Sequence, residues 1–146
     1  MSMNKIDIID EKIVKIDEIK EKVLLEKYAN YYFILDFWLR NLEQGIKVST
    51  FFSDRHYSTV AIYGMASLGE HLKSQLEKDI SILYTIDRGM IDYNGKQYSM
   101  DEGIQRFPKP DVIVITPIME YDNIKQQLLK YICTDIISLE EVILSL

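Results

Sequence analysis

The sequence predicts the α/β class: a three-layer parallel sheet of four or five strands with helices on both faces, preceded by a helical segment. Three observations carry this. Short β-branched, apolar runs recur at Thr59–Tyr63, Ile80–Ile86, Asp111–Thr116 and Thr134–Ser138, as expected of strands buried on both faces. Helical patterns alternate with these runs, and strand–helix–strand alternation implies parallel pairing through right-handed crossovers. Gly64 and Gly69 bracket the exit from the first run into a helix.

The bulk properties narrow the class of function. The chain has 146 residues, 47 % of them hydrophobic and 27 % charged, which suits a folded soluble domain with an appendage. A net charge of −6 argues against nucleic acid, whose binders carry a basic footprint. One cysteine, Cys133, cannot form an internal disulfide, which fits a reducing compartment. The N-terminus alternates charges with aliphatics and offers no signal-peptide core, and no apolar run reaches membrane-spanning length. The expectation is a cytoplasmic protein without a transmembrane segment.

From Asn4 to Gln44 there is neither proline nor glycine. Ile9, Ile13, Ile16 and Val23 fall at heptad-like steps, with Lys20 interrupting the seam and Glu11, Lys12, Asp17, Glu18 and Glu21 on the other face. Tyr28–Leu42 is apolar on every side, the pattern of a helix buried by more than one neighbour. As one rod this segment would run about 60 Å at 1.5 Å per residue. The reading is therefore a helical hairpin over residues 1–46, broken near Lys22–Ala29, that also forms a homodimer. Helices that merely cap the domain's own core carry equal weight. Residues 47–146 form the nucleotide-binding-type domain.

Gly45 suits a helix C-cap, and Ser49 or Thr50 the N-cap of a short helix through Phe51 and Phe52 to His56. After the first strand, Leu68, Leu72 and Leu76 give a helix its inward stripe. Arg88–Lys96 reads as a loose segment with an Asn94-Gly95 turn, Gln97–Ser99 as a brief edge strand, and Met100–Phe107 as a turn or single helical turn. Pro108 and Pro110 precede the clearest strand, Asp111–Thr116. Pro117 ends it, and Tyr121–Tyr131 follows as a helix with Ile124, Leu128 and Ile132 inward. A last strand, Thr134–Ser138, leads to a terminal helix opened by Ser138. The implied sheet order is 97–99, 82–86, 60–63, 112–116, 135–138, a Rossmann-like 3-2-1-4-5 arrangement.

Candidate binding residues sit where such sheets bind nucleotides. Gly64-Met65-Ala66-Ser67-Leu68-Gly69 approximates the glycine turn that lets a pyrophosphate approach a helix N-terminus, with Ala66 in place of the middle glycine. Ser67 and Glu70 match a capping box, in which the protein's own side chains satisfy the first helix amides. An empty turn and an occupied one are thus evenly balanced. Asp87 lies about twenty residues beyond the turn, where an acidic side chain holds ribose hydroxyls, followed by Arg88. The alternative is a turn-forming Asp. Thr116, Pro117 and Tyr121 stand at the carboxyl end of the third core strand, with Glu120 and Asp122, and could line the same crevice or simply form a helix entry. No residues have metal-ligand spacing, neither His56 nor His71 has a nucleophile pattern, and no Walker lysine follows a glycine loop. No catalytic residue is assigned.

Four stretches, Ala61–Leu72, Tyr84–Arg88, Asp111–Pro117 and Ile136–Val142, resemble the small Rossmann-like domains of bacterial surface-polysaccharide gene clusters, alone or joined to glycosyltransferases. A similar module precedes the acyltransferase part of PglD-like sugar acetyltransferases. The resemblance spans about Lys47–Leu146, and the leader ending Trp38–Leu42 also looks like the segment preceding such domains. It implies a nucleotide or nucleotide-sugar binding module, with NAD or a UDP-sugar as ligand and a glycosyltransferase as partner, not catalytic alone. Two alternatives stand beside it: an NAD-dependent oxidoreductase or epimerase, and a ligand-free dimerisation module.

Overall fold

A computed structural model describes residues 4–146 of the chain, which form a mixed α/β protein with a long N-terminal helix and a mostly parallel sheet. The long helix, α1, is continuous over Lys5–Glu43, so the expected hairpin with a break near Lys22–Ala29 does not form. Nothing between Asn4 and Gln44 stops a helix, and extending one costs less than nucleating a second. Asn4 opens α1 reciprocally: the Asp7 N–H donates to Asn4 Oδ1 at 2.9 Å, and the Asn4 N–H to Asp7 Oδ2 at 3.4 Å. Gly45 closes it with φ +79°, and the Ile46 N–H reaches the Asn41 carbonyl at 2.9 Å.

The chain divides into two compact units, residues 1–36 and 37–146. The described part of the first is helix. Through Asn30 every residue of it is exposed, including Ile9, Ile13, Ile16 and Val23. No helix among the described residues is long and apolar enough to cross a membrane.

In the second unit, α2 (Ser49–Asp54) and β1 (Thr59–Tyr63) precede α3 (Ser67–Leu76) and β2 (Ser81–Asp87). Then come β3 (Met90–Tyr93), β4 (Lys96–Ser99), α4 (Met100–Arg106) and β5 (Val112–Ile115). A 3₁₀ turn (Ile118–Glu120) leads into α5 (Tyr121–Leu128), β6 (Asp135–Ser138) and α6 (Leu139–Leu144). The sheet has six strands in the order β4-β3-β2-β1-β5-β6, not the four or five expected. Strands β2, β1, β5 and β6 run parallel, while β3 and β4 are antiparallel additions.

The segment expected to be loose, Arg88–Lys96, is where the extra strand arises. Arg88 and Gly89 have φ of +51° and +73°, and Asn94 and Gly95 +51° and +81°. Two residues at positive φ between paired strands make a type I′ hairpin, whose twist suits the flanking strands. The edge strand 97–99 therefore pairs with β3 and not with β2. Ile91, fully buried, ties this ribbon to the core.

One sheet face carries Ala61, Tyr84, Ile86, Ile113, Ile115 and Ile136 and packs on Met100 of α4 and on Ile124 and Leu128 of α5. Strand alternation turns Val60, Ile62, Val112 and Val114, all fully buried, to the other face. The chain moves outward from β1 through α3 to β2 and from β5 through α5 to β6 in opposite directions. Right-handed crossovers then place α3 and α5 on opposite faces. Leu68, Leu72 and Leu76 are buried as their spacing requires. Ser49 does not cap α2; Val48 holds that position, and the Ser49 hydroxyl donates to Asp79 Oδ2 at 3.2 Å. Met100–Arg106 is a full helix, capped by Ser99 Oγ, which accepts from the Glu102 N–H.

Candidate functional site

The reversal of strand order between β1 and β5 opens a crevice at the carboxyl edge of the sheet. β1 delivers Tyr63 to this edge and β5 delivers Thr116, whose N–H donates to the Tyr63 carbonyl at 2.9 Å. The chain leaves β1 through Gly64, at φ +93°, and its N–H donates to the Ile86 carbonyl at 2.8 Å. Only a residue without Cβ fits there, because a methyl on Gly64 would lie 2.6 Å from both Thr116 Oγ1 and Pro117 Cδ. The Thr116 hydroxyl donates to the Gly64 carbonyl at 2.7 Å. Gly69 packs against that same carbonyl so closely that a Cβ would overlap it. Both glycines are thus explained by the protein's own packing.

The capping box does not form. Ser67 is the first helical residue, Ala66 takes the N-cap position, and no side chain caps the helix. A box needs its serine in the non-helical cap position, one residue before the place Ser67 occupies. The Glu70 N–H donates to the Ala66 carbonyl at 3.0 Å.

Beside this turn lies a groove of about 450 Å³. Five of the candidate binding residues named from the sequence line it: Gly64, Asp87, Arg88, Pro117 and Glu120. Asp87 and Arg88 reach it through the β2–β3 hairpin, where Asp87 pairs with Met90. Met65, Ala66, Ser67, Leu68 and Gly69 do not line it, and Leu68 and Gly69 are buried in the first turn of α3. Thr116, 3 % exposed, braces the glycine turn from inside. Tyr121 faces away, donating its hydroxyl to the Ile136 carbonyl at 3.0 Å. It anchors the start of α5 to β6.

The remaining lining residues are Tyr63, Asn123, Ile124 and Gln127. Asn123 and Gln127 are four apart on α5 and so share a face, a spacing visible in the sequence once the helix is placed. Tyr63 and Gln127 continue into a second groove of about 210 Å³ with Met100, Leu128 and Tyr131. Partial burial raises the Tyr63 pKa, and the negative charges of Asp87 and Glu120 raise it further. The crevice therefore holds a protonated phenol, two carboxylates, two amides and one guanidinium. Carboxylates accept from hydroxyls, and amides both accept from and donate to them, so the set suits a polyol better than a bare phosphate.

His56 lies just past the end of α2 at φ +60°, and exposed His71 meets the Trp38 ring edge-on at 6.4 Å. Neither lines the crevice. Among the described residues no group of His, Cys, Asp and Glu side chains could hold a metal ion. Comparison with models of known protein families, with curated proteins and with solved structures finds no match.

Proposed function

We propose that residues 37–146 form a Rossmann-like module that binds a nucleotide or nucleotide-sugar in the crevice beside Gly64. It serves glycosyltransferase or other polysaccharide-building machinery and does not catalyse a reaction alone. The observation that carries this reading is the convergence of Asp87 and Arg88 with Gly64 on one groove at the switch in strand order, where open parallel sheets bind ligands. Asp87 and Glu120 accept from ribose or sugar hydroxyls, and Asn123 and Gln127 extend that network along α5. A carboxylate at Asp87 disfavours a 2′-phosphate, so NAD or a UDP-sugar is preferred over NADP. Arg88 is the cation available to a phosphate.

The oxidoreductase or epimerase alternative needs a group that moves a proton near neutral pH. The Tyr63 phenol is shifted upward, away from that range, which supports binding over turnover. Isothermal titration with UDP, UDP-sugars and NAD tests the reading. Binding that weakens at least tenfold, about 1.4 kcal/mol, in Asp87→Ala is the expected result. Silence toward all three ligands at millimolar concentration would sink it.

A further inference from the structure

We propose that the Lys5–Val23 segment of α1 binds the same segment of a second copy of this chain, as a parallel, in-register coiled coil. This rests on the N-terminal unit alone and is independent of the crevice. Ile6, Ile9, Ile13, Ile16 and Val23 are each between 51 % and 68 % exposed, an apolar row that no described residue of its own unit covers. They occupy alternate steps of three and four, with Ile6 and Ile13 at heptad position a and Ile9, Ile16 and Val23 at d.

Charge chooses both the occupant and its direction. In this register Lys5 and Lys12 fall at g, and Asp10 and Asp17 at e. In a parallel pair each g side chain meets the e side chain of the next heptad on the partner. Lys5 then faces Asp10 of the second copy and Lys12 faces Asp17, and symmetry repeats both pairs. An antiparallel pair sets e against e instead and brings Asp10 toward Asp17, like charges on both sides. The segment is therefore complementary to itself in one direction only. Lys20, at the next a position, costs stability but fixes register, its stem along the core and its ammonium reaching water. One slip of a heptad would set that lysine against Ile13.

Sedimentation or light scattering of the full chain reads the outcome. The wild type has a mass at least twice its 17.2 kDa. Lys5→Glu with Lys12→Glu puts acid at both g and e, and Asp10→Lys with Asp17→Lys puts base at both. Each double variant alone has its dissociation constant raised at least tenfold, and an equimolar mixture of the two restores wild-type mass as a mixed assembly. A wild-type mass of one chain overturns the proposal, as a heterologous partner for this face would. So do variants that associate like the wild type, or a mixture that fails to associate while each variant keeps its helical circular dichroism.

Discussion

Replacing Gly64 by alanine separates the two reasons this position demands glycine. The residue sits at φ +93°, and an L side chain there costs about 1–2 kcal/mol. The added methyl would also lie 2.6 Å from Thr116 Oγ1 and from Pro117 Cδ. Neither neighbour can retreat easily, since the Thr116 hydroxyl is bonded to Gly64 itself and Pro117 is a ring fused to the backbone. Overpacking of this kind costs about 1–3 kcal/mol, giving about 2–5 kcal/mol in all. Gly95→Ala is the control: φ is +81° there, but nothing lies within 4 Å, so only the strain of about 1–2 kcal/mol applies. Urea denaturation followed by fluorescence of Trp38, the single tryptophan and a buried one in the same unit, measures both. The expected outcome is a loss in Gly64→Ala exceeding that in Gly95→Ala by about 1–3 kcal/mol. Equal losses would refute the claim that the turn is packed shut by Thr116 and Pro117, and would reopen it as a space for ligand.

Further outcomes follow from the same contacts. Thr116→Val keeps the shape but removes the 2.7 Å bond to the Gly64 carbonyl, and should cost about 1–3 kcal/mol in the same denaturation assay. Ser99→Ala removes the cap that accepts from the Glu102 N–H and should cost about 1 kcal/mol, read as a fall in thermal midpoint. The Asp111 carboxyl is held below the usual range by the Ser58 and Thr59 N–H groups, at 2.7 and 3.1 Å. Its folded pKa is depressed, so its contribution is full above the unfolded value near 4 and is lost as pH falls through the lower folded value. Asp111→Asn should therefore be less stable than wild type at neutral pH, with the gap closing in acid; a gap constant with pH would contradict this assignment.

The local part of this protein is legible in its sequence alone. The β-branched runs, the Leu68-Leu72-Leu76 stripe, the stripe of α5 and the Asn94-Gly95 turn are short-range patterns, and each is an element or a buried face in the structure. The cap at Ser138 was equally legible, since its hydroxyl accepts from the Glu140 N–H two residues on. Tertiary packing determined the rest, because those outcomes depend on distant parts of the chain. Gly64 is filled by Thr116, 52 residues away, and Tyr121 is drawn to Ile136 and off the crevice. Arg88-Gly89 is a weaker hairpin signal than Asn94-Gly95, and it became a primed turn with a strand for Ile91 to bury, which holds Asp87 at the end of β2 opposite Met90. Whether Ser67 caps α3 turned on a single residue of helix start, a distinction no local pattern carries. Sequence patterns name the elements, but only packing decides which side chains fill the space where they meet.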